Sequence, residues 1–318
     1  MPKEIGGYLE LERFGGGLLH EGALALNSGR ACLAYLIEQR GIKKLALPGF
    51  ICDVVRDVCL ENGVEIRVYG IGPDLLPIDT ACAEDEWLYV VNYYGQLPEA
   101  YINSLAARCP RLIVDNAQAY FAPPIQGMDT IYTCRKFFGV ADGAFLYTDA
   151  PFAELERDES FRRMGFVLGR FERSAGELYA EAAANNDCPS FAVPRRMSAL
   201  TENLLRGIDY DAVKARRTEN FSCLHRALDP LNRLDPRPTE GAYAYPLMLE
   251  EAPSLRAELI RRKIFVPTLW PNVLKEQAEG TWEYALANNI LPLPCDQRYG
   301  PNDMRTVIQA VTEILTSR

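Results

Sequence analysis

Between residues 28 and 148 the apolar positions switch repeatedly between helical spacing and short continuous runs. Asn27–Ser28 followed by ACLAYLIEQR and Gly41 predicts a helix, because Ser or Asn caps the start and Gly ends the last turn. KKLALP is too short and too apolar for a surface helix and predicts a buried strand. FICDVVRDVCLEN has apolar residues at spacings of three and four and stops at Asn62–Gly63, so a second helix is expected there. VEIRVYG, WLYVVNYYG, RLIVD and GAFLYTD read as further strands, with INSLAARC as an intervening helix. Strands alternating with helices predict a parallel sheet covered on both faces, hence an α/β domain.

After residue 150 the pattern changes. Residues 152–187 are charged and predict mostly helix, and CPSFAVPRR, with two prolines, predicts an irregular connector. Met197 to Leu228 predicts a long amphipathic helix with a break near Gly207–Asp209. YAYPLMLE, SLRAELIRRK, IFVPTLW, ILPLPCD and the helical DMRTVIQAVTEIL predict a smaller α+β unit. The expected organisation is two domains, 1–210 and 211–318, without repeats.

Composition narrows the function. With 318 residues and a net charge of −9, and with short, dispersed Arg clusters, the chain lacks the basic stripe of a nucleic-acid binder. No apolar run approaches a membrane span. The nine cysteines are odd in number and form no C-x-x-C pair, and no signal peptide precedes the first helix, so reduced thiols in a cytoplasmic protein are expected. Only His20 and His225 are present, which leaves no basis for a His-built metal site or a His-based triad. Chemistry must rest on Lys, Asp/Glu, Cys, Tyr or a bound cofactor.

Ligands of open parallel sheets lie outside the carboxyl ends of the strands. NSGR (27–30), VNYYGQ (91–96, with Asn92 first after the strand) and VDNAQA (114–119) fall there, and Lys136 follows in YTCRKFF. Taken singly, each has an ordinary explanation: Ser28 as a helix cap, Asp115 as the cap of the next helix, Lys136 as a solvent lysine on an apolar edge. FGGGLLHEG does not follow a strand and is not a nucleotide loop. Taken together, Ser28-Gly29-Arg30, Asp115, Gln118 and Lys136 suit pyridoxal 5′-phosphate (PLP). A phosphate needs free N–H groups at a helix start, which Ser28-Gly29 offers, and Arg30 adds a charged donor. A protonated pyridine nitrogen needs a buried carboxylate, Asp115, and the aldehyde needs an amine, Lys136. Gln118, one helical turn after Asp115, would reach the ring hydroxyl.

These segments also resemble the DegT/DnrJ-type PLP-dependent sugar aminotransferases, from about Leu26 to the C-terminus. NSGRACL resembles the family's S-G-T-x-A-L loop, and LPGFICDVVRDVCLENGVEIRVYGI its P-x-[FY]-x-[FW] helix and strand. VVNYYGQLPE is similar to V-H-x-Y-G-Q-P, VDNAQA to D-x-A-Q-A, and KFFGVADGAFLYTD to K-N-x-G-x-G-E-G-G. PRRMSALTENLL with the later KARR resembles N-Y-R-M-S-E-L-Q-A with R-R, and ILPLPCDQRYGPNDMRTVI the closing L-P-L-[HY]-P. Seven motifs in the family's order make the resemblance specific.

The resemblance implies a fold-type I architecture: a three-layer α/β/α large domain with a mostly parallel sheet, and a smaller α+β C-terminal domain. It implies Lys136 as the Schiff-base lysine, Asp115 on the ring nitrogen, Gln118 near the ring oxygen, and a homodimer with shared active sites. The family's ring-stacking aromatic aligns with Cys52, leaving Phe50 or Tyr93 as stand-ins. Thr133 takes the place of the phosphate-binding serine. The family's partner-chain asparagine falls at Pro194, which turns attention to Arg195 or Arg196 as the partner's phosphate contact. The expected activity is transfer of an amino group, with glutamate as donor, to a keto-sugar, free or nucleotide-linked. A PLP-dependent lyase or dehydratase, or a non-catalytic relative, are the alternatives.

Overall fold

The computed structural model describes residues 5–317. Seven strands form one sheet: β1 Leu24–Leu26, β2 Lys44–Pro48, β3 Glu65–Tyr69, β4 Trp87–Val91, β5 Leu112–Asp115, β6 Asp129–Thr133 and β7 Ala144–Tyr147. Their order is β1-β7-β6-β5-β4-β2-β3. From β3 to β6 neighbouring strands are parallel, and β7 runs antiparallel to both β6 and β1. The sheet is therefore mixed rather than wholly parallel. Among the inner strands, β2, β4 and β5 are mostly apolar, as strands buried on both faces are, and β5 is buried at every residue.

Three helices connect the parallel strands: α1 Gly29–Arg40, α2 Asp53–Glu61 and α3 Glu99–Arg108. The predicted limits of α1 hold for the predicted reason. The Ser28 Oγ accepts the Ala31 N–H, and Gly41 closes the helix in the left-handed region at φ 61°. The chain passes outward from β2 to β3, then returns to place β4 on the other side of β2. That reversal opens a crevice at the carboxyl ends of β2 and β4, where α/β sheets bind ligands.

Residues 152–187 depart from the helical expectation. They hold only two short α-helices, α4 Gly165–Gly169 and α5 Tyr179–Asn186, within irregular chain. The charges there serve loop contacts, such as Arg163 with Asp158 at 2.7 Å, instead of lining one helical face. The long helix expected from Met197 is two, α6 Ala199–Leu205 and α7 Tyr210–Leu228, broken at the predicted place. Beyond it lie α8 Ala252–Arg261, α9 Val273–Glu276, α10 Trp282–Asn289 and α11 Pro301–Thr316, with β8 Ala244–Met248 antiparallel to β9 Ile290–Pro294. IFVPTLW adds no strand. A second apolar core draws only on residues from Phe221 onward, joining α7, α8, α11 and the β8–β9 pair.

The thiol expectation is corrected in one place: Cys82 and Cys109 form a disulfide that ties the loop before β4 to the end of α3. Scattered spacing hid it, because the two residues meet only through the sheet. The other seven cysteines are free. No helix among the described residues is long and apolar enough to cross a membrane.

Candidate active site

Asp115 ends β5 next to the switch-point crevice, and it is 8% exposed. Its Oδ1 accepts the Ala117 N–H at 2.7 Å, and its Oδ2 accepts the Tyr89 hydroxyl at 2.9 Å. No helix follows; residues 116–120 make a tight turn, so Asp115 is not a helix cap and Gln118 is brought round by the turn. Burial raises the Asp115 pKa, while the Lys136 charge and the two hydrogen bonds pull it down.

Lys136 lies in the turn after β6, which starts where Phe137 and Phe138 N–H groups both bond the Cys134 carbonyl. Its side chain opens into a cavity of about 870 Å³ that Phe166, Arg170, Tyr179, Arg217 and Tyr243 also line. Its Nζ is 5.8 Å from the centre of the Tyr243 ring. Although the side chain is open to the cavity, the amine is surrounded by protein, and burial lowers its pKa. Asp115 and Cys52 oppose that shift, and Arg135 reinforces it. The sheet thus brings together the acid and the amine that sequence alone had placed 21 positions apart.

The remaining expected residues divide. Ser28 is fully used: its Oγ accepts from Ala31 and donates to the Phe191 carbonyl, leaving no hydroxyl for a ligand. The amides of Gly29 and Arg30 start α1 and have no intrahelical acceptor. Thr133 ends β6 and is 7% exposed. Asn92 is a brace, donating to Asn116 Oδ1 and accepting the Leu97 N–H, both at 2.9 Å. Phe50 is fully buried between Tyr93 and Trp270, at 5.2 and 5.0 Å, so it presents no free face to a ring. Cys52 instead faces a smaller cavity of about 370 Å³ beside Trp270 and Asn272, and burial raises its thiol to about 11. Arg195 reaches toward Asp158 at 3.9 Å and Arg196 is exposed.

Two participants escaped the sequence reading. Tyr89, 2% exposed in β4, orients Asp115; a tyrosine inside an otherwise apolar strand needs a hydroxyl partner, and that was the available signal. Arg135 precedes Lys136 and shares its cavity, and burial lowers its pKa to about 10.

The donor set fits PLP. Gln118 Oε1 accepts the Tyr94 N–H, while its buried Nε2 has no partner, a donor available to a ring oxygen near Asp115. The buried Arg135 Nε is likewise unpartnered. Lys136 has cavity space for an aldehyde, and the Asp115 carboxylate is held in place by two donors.

No family model and no curated protein matches the sequence. Solved structures do match in fold. Spr1654 from Streptococcus pneumoniae, in its PLP form, aligns over 92% of this chain and 87% of its own, at 14% identity and a TM-score of 0.65. A DegT DnrJ EryC1 StrS aminotransferase from Brucella abortus gives 92%, 86%, 16% and 0.62 for the same quantities. The sugar aminotransferase CalS13 from Micromonospora echinospora gives 92%, 88%, 14% and 0.64. The chain has the fold-type I architecture of these aminotransferase structures, with a mixed sheet.

Proposed function

We propose that this chain is a PLP-dependent aminotransferase of the DegT/DnrJ type, moving an amino group from glutamate to a keto-sugar. The observation that carries the reading is Lys136 itself. It is a lysine whose ammonium is disfavoured by burial, facing a large cavity and within the field of the oriented carboxylate of Asp115. The similarity in fold to Spr1654 in a PLP form and to the sugar aminotransferase CalS13 supports the cofactor and the substrate class.

When bound, PLP supplies an electron sink conjugated to the carbon that gains or loses the amino group. Lys136 would hold the cofactor through its amine, which desolvation shifts toward the neutral, nucleophilic form. The same amine would be the group placed to take a proton from the donor's α-carbon, since His20 is packed in an aromatic box and His225 lies on α7. Asp115 would hold the ring nitrogen protonated, and the unpartnered Gln118 Nε2 would donate to the ring oxygen. Arg170 and Arg217 around the cavity suit an acceptor that carries negative charge, whereas Arg298 is paired with Asp296 at 2.8 Å. Residues 1–210 would form the cofactor domain and 211–318 the smaller one. In a homodimer, the Arg195–Arg196 segment would face the second copy's site.

The test is direct. Purified protein incubated with PLP and then borohydride should carry one pyridoxyl group, mapped to Lys136, and glutamate should yield 2-oxoglutarate stoichiometrically. A label on another lysine, or none, defeats the reading. Elimination products in place of amino transfer from a keto-sugar would redirect it to a lyase.

A further inference from the structure

Three guanidinium groups lie over one ring. Arg30, Arg135 and Arg163 stand 5.2, 4.5 and 4.8 Å from the centre of Phe191, a fully buried residue of the connector. Arg163 is neutralised by Asp158 at 2.7 Å. Arg30 and Arg135 have no ion pair among the described residues. Both instead donate to a single neutral residue at the end of α5: Arg30 to the Asn186 carbonyl, and Arg135 to Asn186 Oδ1 at 2.7 Å.

The acids that face the pair stand back or are engaged. Asp53 and Asp187 act on Arg30 only through space. Asp142, which acts on Arg135, is hydrogen-bonded by Ser198 and Thr201. Two half-buried like charges are therefore held near one another, with the Arg135 Nε buried and unsatisfied. Such an arrangement is costly unless an anion completes it. Arg135, Asn185 and Asn186 line the cavity into which Lys136 opens, so the space for that anion adjoins the amine. Arg30 is also the second residue of α1, whose open amides favour negative charge.

We infer that Arg30 and Arg135, braced on Phe191, form a two-charge cradle for the phosphate of the cofactor held on Lys136, supplied within one chain. The inference rests on the PLP reading above and shifts the phosphate contact from the partner's Arg195–Arg196 segment to these two residues. Ser28 contributes through its backbone turn, because its hydroxyl is spent on Ala31 and Phe191. Arg135 acts here as a positioning residue: it fixes the phosphate end so that the aldehyde end meets the adjacent Lys136.

The experiment compares apoprotein binding of PLP, of phosphate-free pyridoxal, and of inorganic phosphate. Wild-type protein should bind PLP far more tightly than pyridoxal and should melt at a higher temperature in millimolar phosphate. Arg135→Gln should lose roughly 10–100-fold in PLP affinity, the worth of one charge-assisted hydrogen bond, with pyridoxal binding unchanged. It should also lose the phosphate-induced rise in melting temperature. Arg135→Lys, which keeps the charge, should recover part of both. If circular dichroism shows Arg135→Gln to be unfolded, Arg30→Gln carries the same comparison. A PLP-to-pyridoxal ratio unchanged in these variants, or one that collapses in Arg195→Gln or Arg196→Gln instead, overturns the cradle. Should wild type form no adduct at Lys136, the PLP reading falls. The phosphate melting shift then decides the cradle alone: retained in wild type and lost in Arg135→Gln, it stands as an anion site; absent in wild type, it falls too.

Discussion

Asp115 is oriented from both sides, and that defines what its substitutions should do. Asp115→Asn keeps size and hydrogen-bonding capacity but removes the charge that would hold a pyridine nitrogen protonated. Losing three pKa units of that support corresponds to about 4 kcal/mol, so glutamate-driven amino transfer should slow on the order of 10³-fold while cofactor still attaches to Lys136. Tyr89→Phe removes one donor to Oδ2 and leaves the charge in place. A slowing of about tenfold is expected, the worth of one hydrogen bond. Single-turnover rates with glutamate check both; near-normal rates in Asp115→Asn would return that residue to a structural role. His20 gives a separate, pH-dependent prediction. It is buried among Tyr120, Tyr132, Phe145 and Tyr147, and burial lowers its pKa to about 4. Between about 4 and the ordinary value of 6.5 the unfolded chain binds a proton that the folded chain does not. Stability therefore rises with pH through that window and is lost as pH falls, by up to roughly 3 kcal/mol. Urea titrations at pH 7 and pH 4.5 should show that loss in wild type and a smaller one in His20→Phe.

At the scale of elements, the parts visible in the sequence were those fixed by local rules. Helix α1 begins and ends as Ser28 and Gly41 dictate, and the apolar runs of β2, β4 and β5 announce buried parallel strands. Strand β6, DTIYT, was missed because its polar residues break the apolar run. Its Asp129 is satisfied by Arg40, at 2.8 Å, and by Thr148, contacts across the sheet edge that no local window contains. Strand β1 is only three residues long and exists through pairing with β7. In the candidate site, Asp115, Gln118 and Lys136 were legible as candidates because they terminate strands or follow them closely. Ser28, Asn92 and Phe50 had the right positions, but their functional atoms or faces are taken by neighbours whose contacts are tertiary. Arg135 was overlooked for the converse reason: its value comes from Arg30 and Phe191, which lie 105 and 56 positions away in the chain.

At the scale of the whole molecule, the apolar surface left open points to a second copy. Ile5, Tyr8 and Leu9 are 94%, 97% and 96% exposed, on an extended arm that is anchored only further along. There Phe14 N–H donates to Asn203 Oδ1, and Gly16 N–H donates to the Arg206 carbonyl. Phe171 and Tyr179, beside the cavity that holds Lys136, are 92% and 72% exposed. So much uncovered apolar side chain is unusual for a monomer and suits an interface that also borders the active site. A homodimer is therefore expected, with the arm of one copy lying on the other. In a two-fold interface each substitution acts twice. Leu9→Asp, removing about 1.5 kcal/mol of apolar burial at each arm, should weaken dimerisation on the order of 100-fold. Sedimentation equilibrium should find wild type dimeric at low micromolar concentration and the variant shifted toward monomer, with α1 and the central sheet unchanged by circular dichroism. A wild-type protein that stays monomeric at tens of micromolar with PLP bound, or a Leu9→Asp variant that dimerises as tightly as wild type, would remove the arm from the interface and leave the site to be completed by one chain.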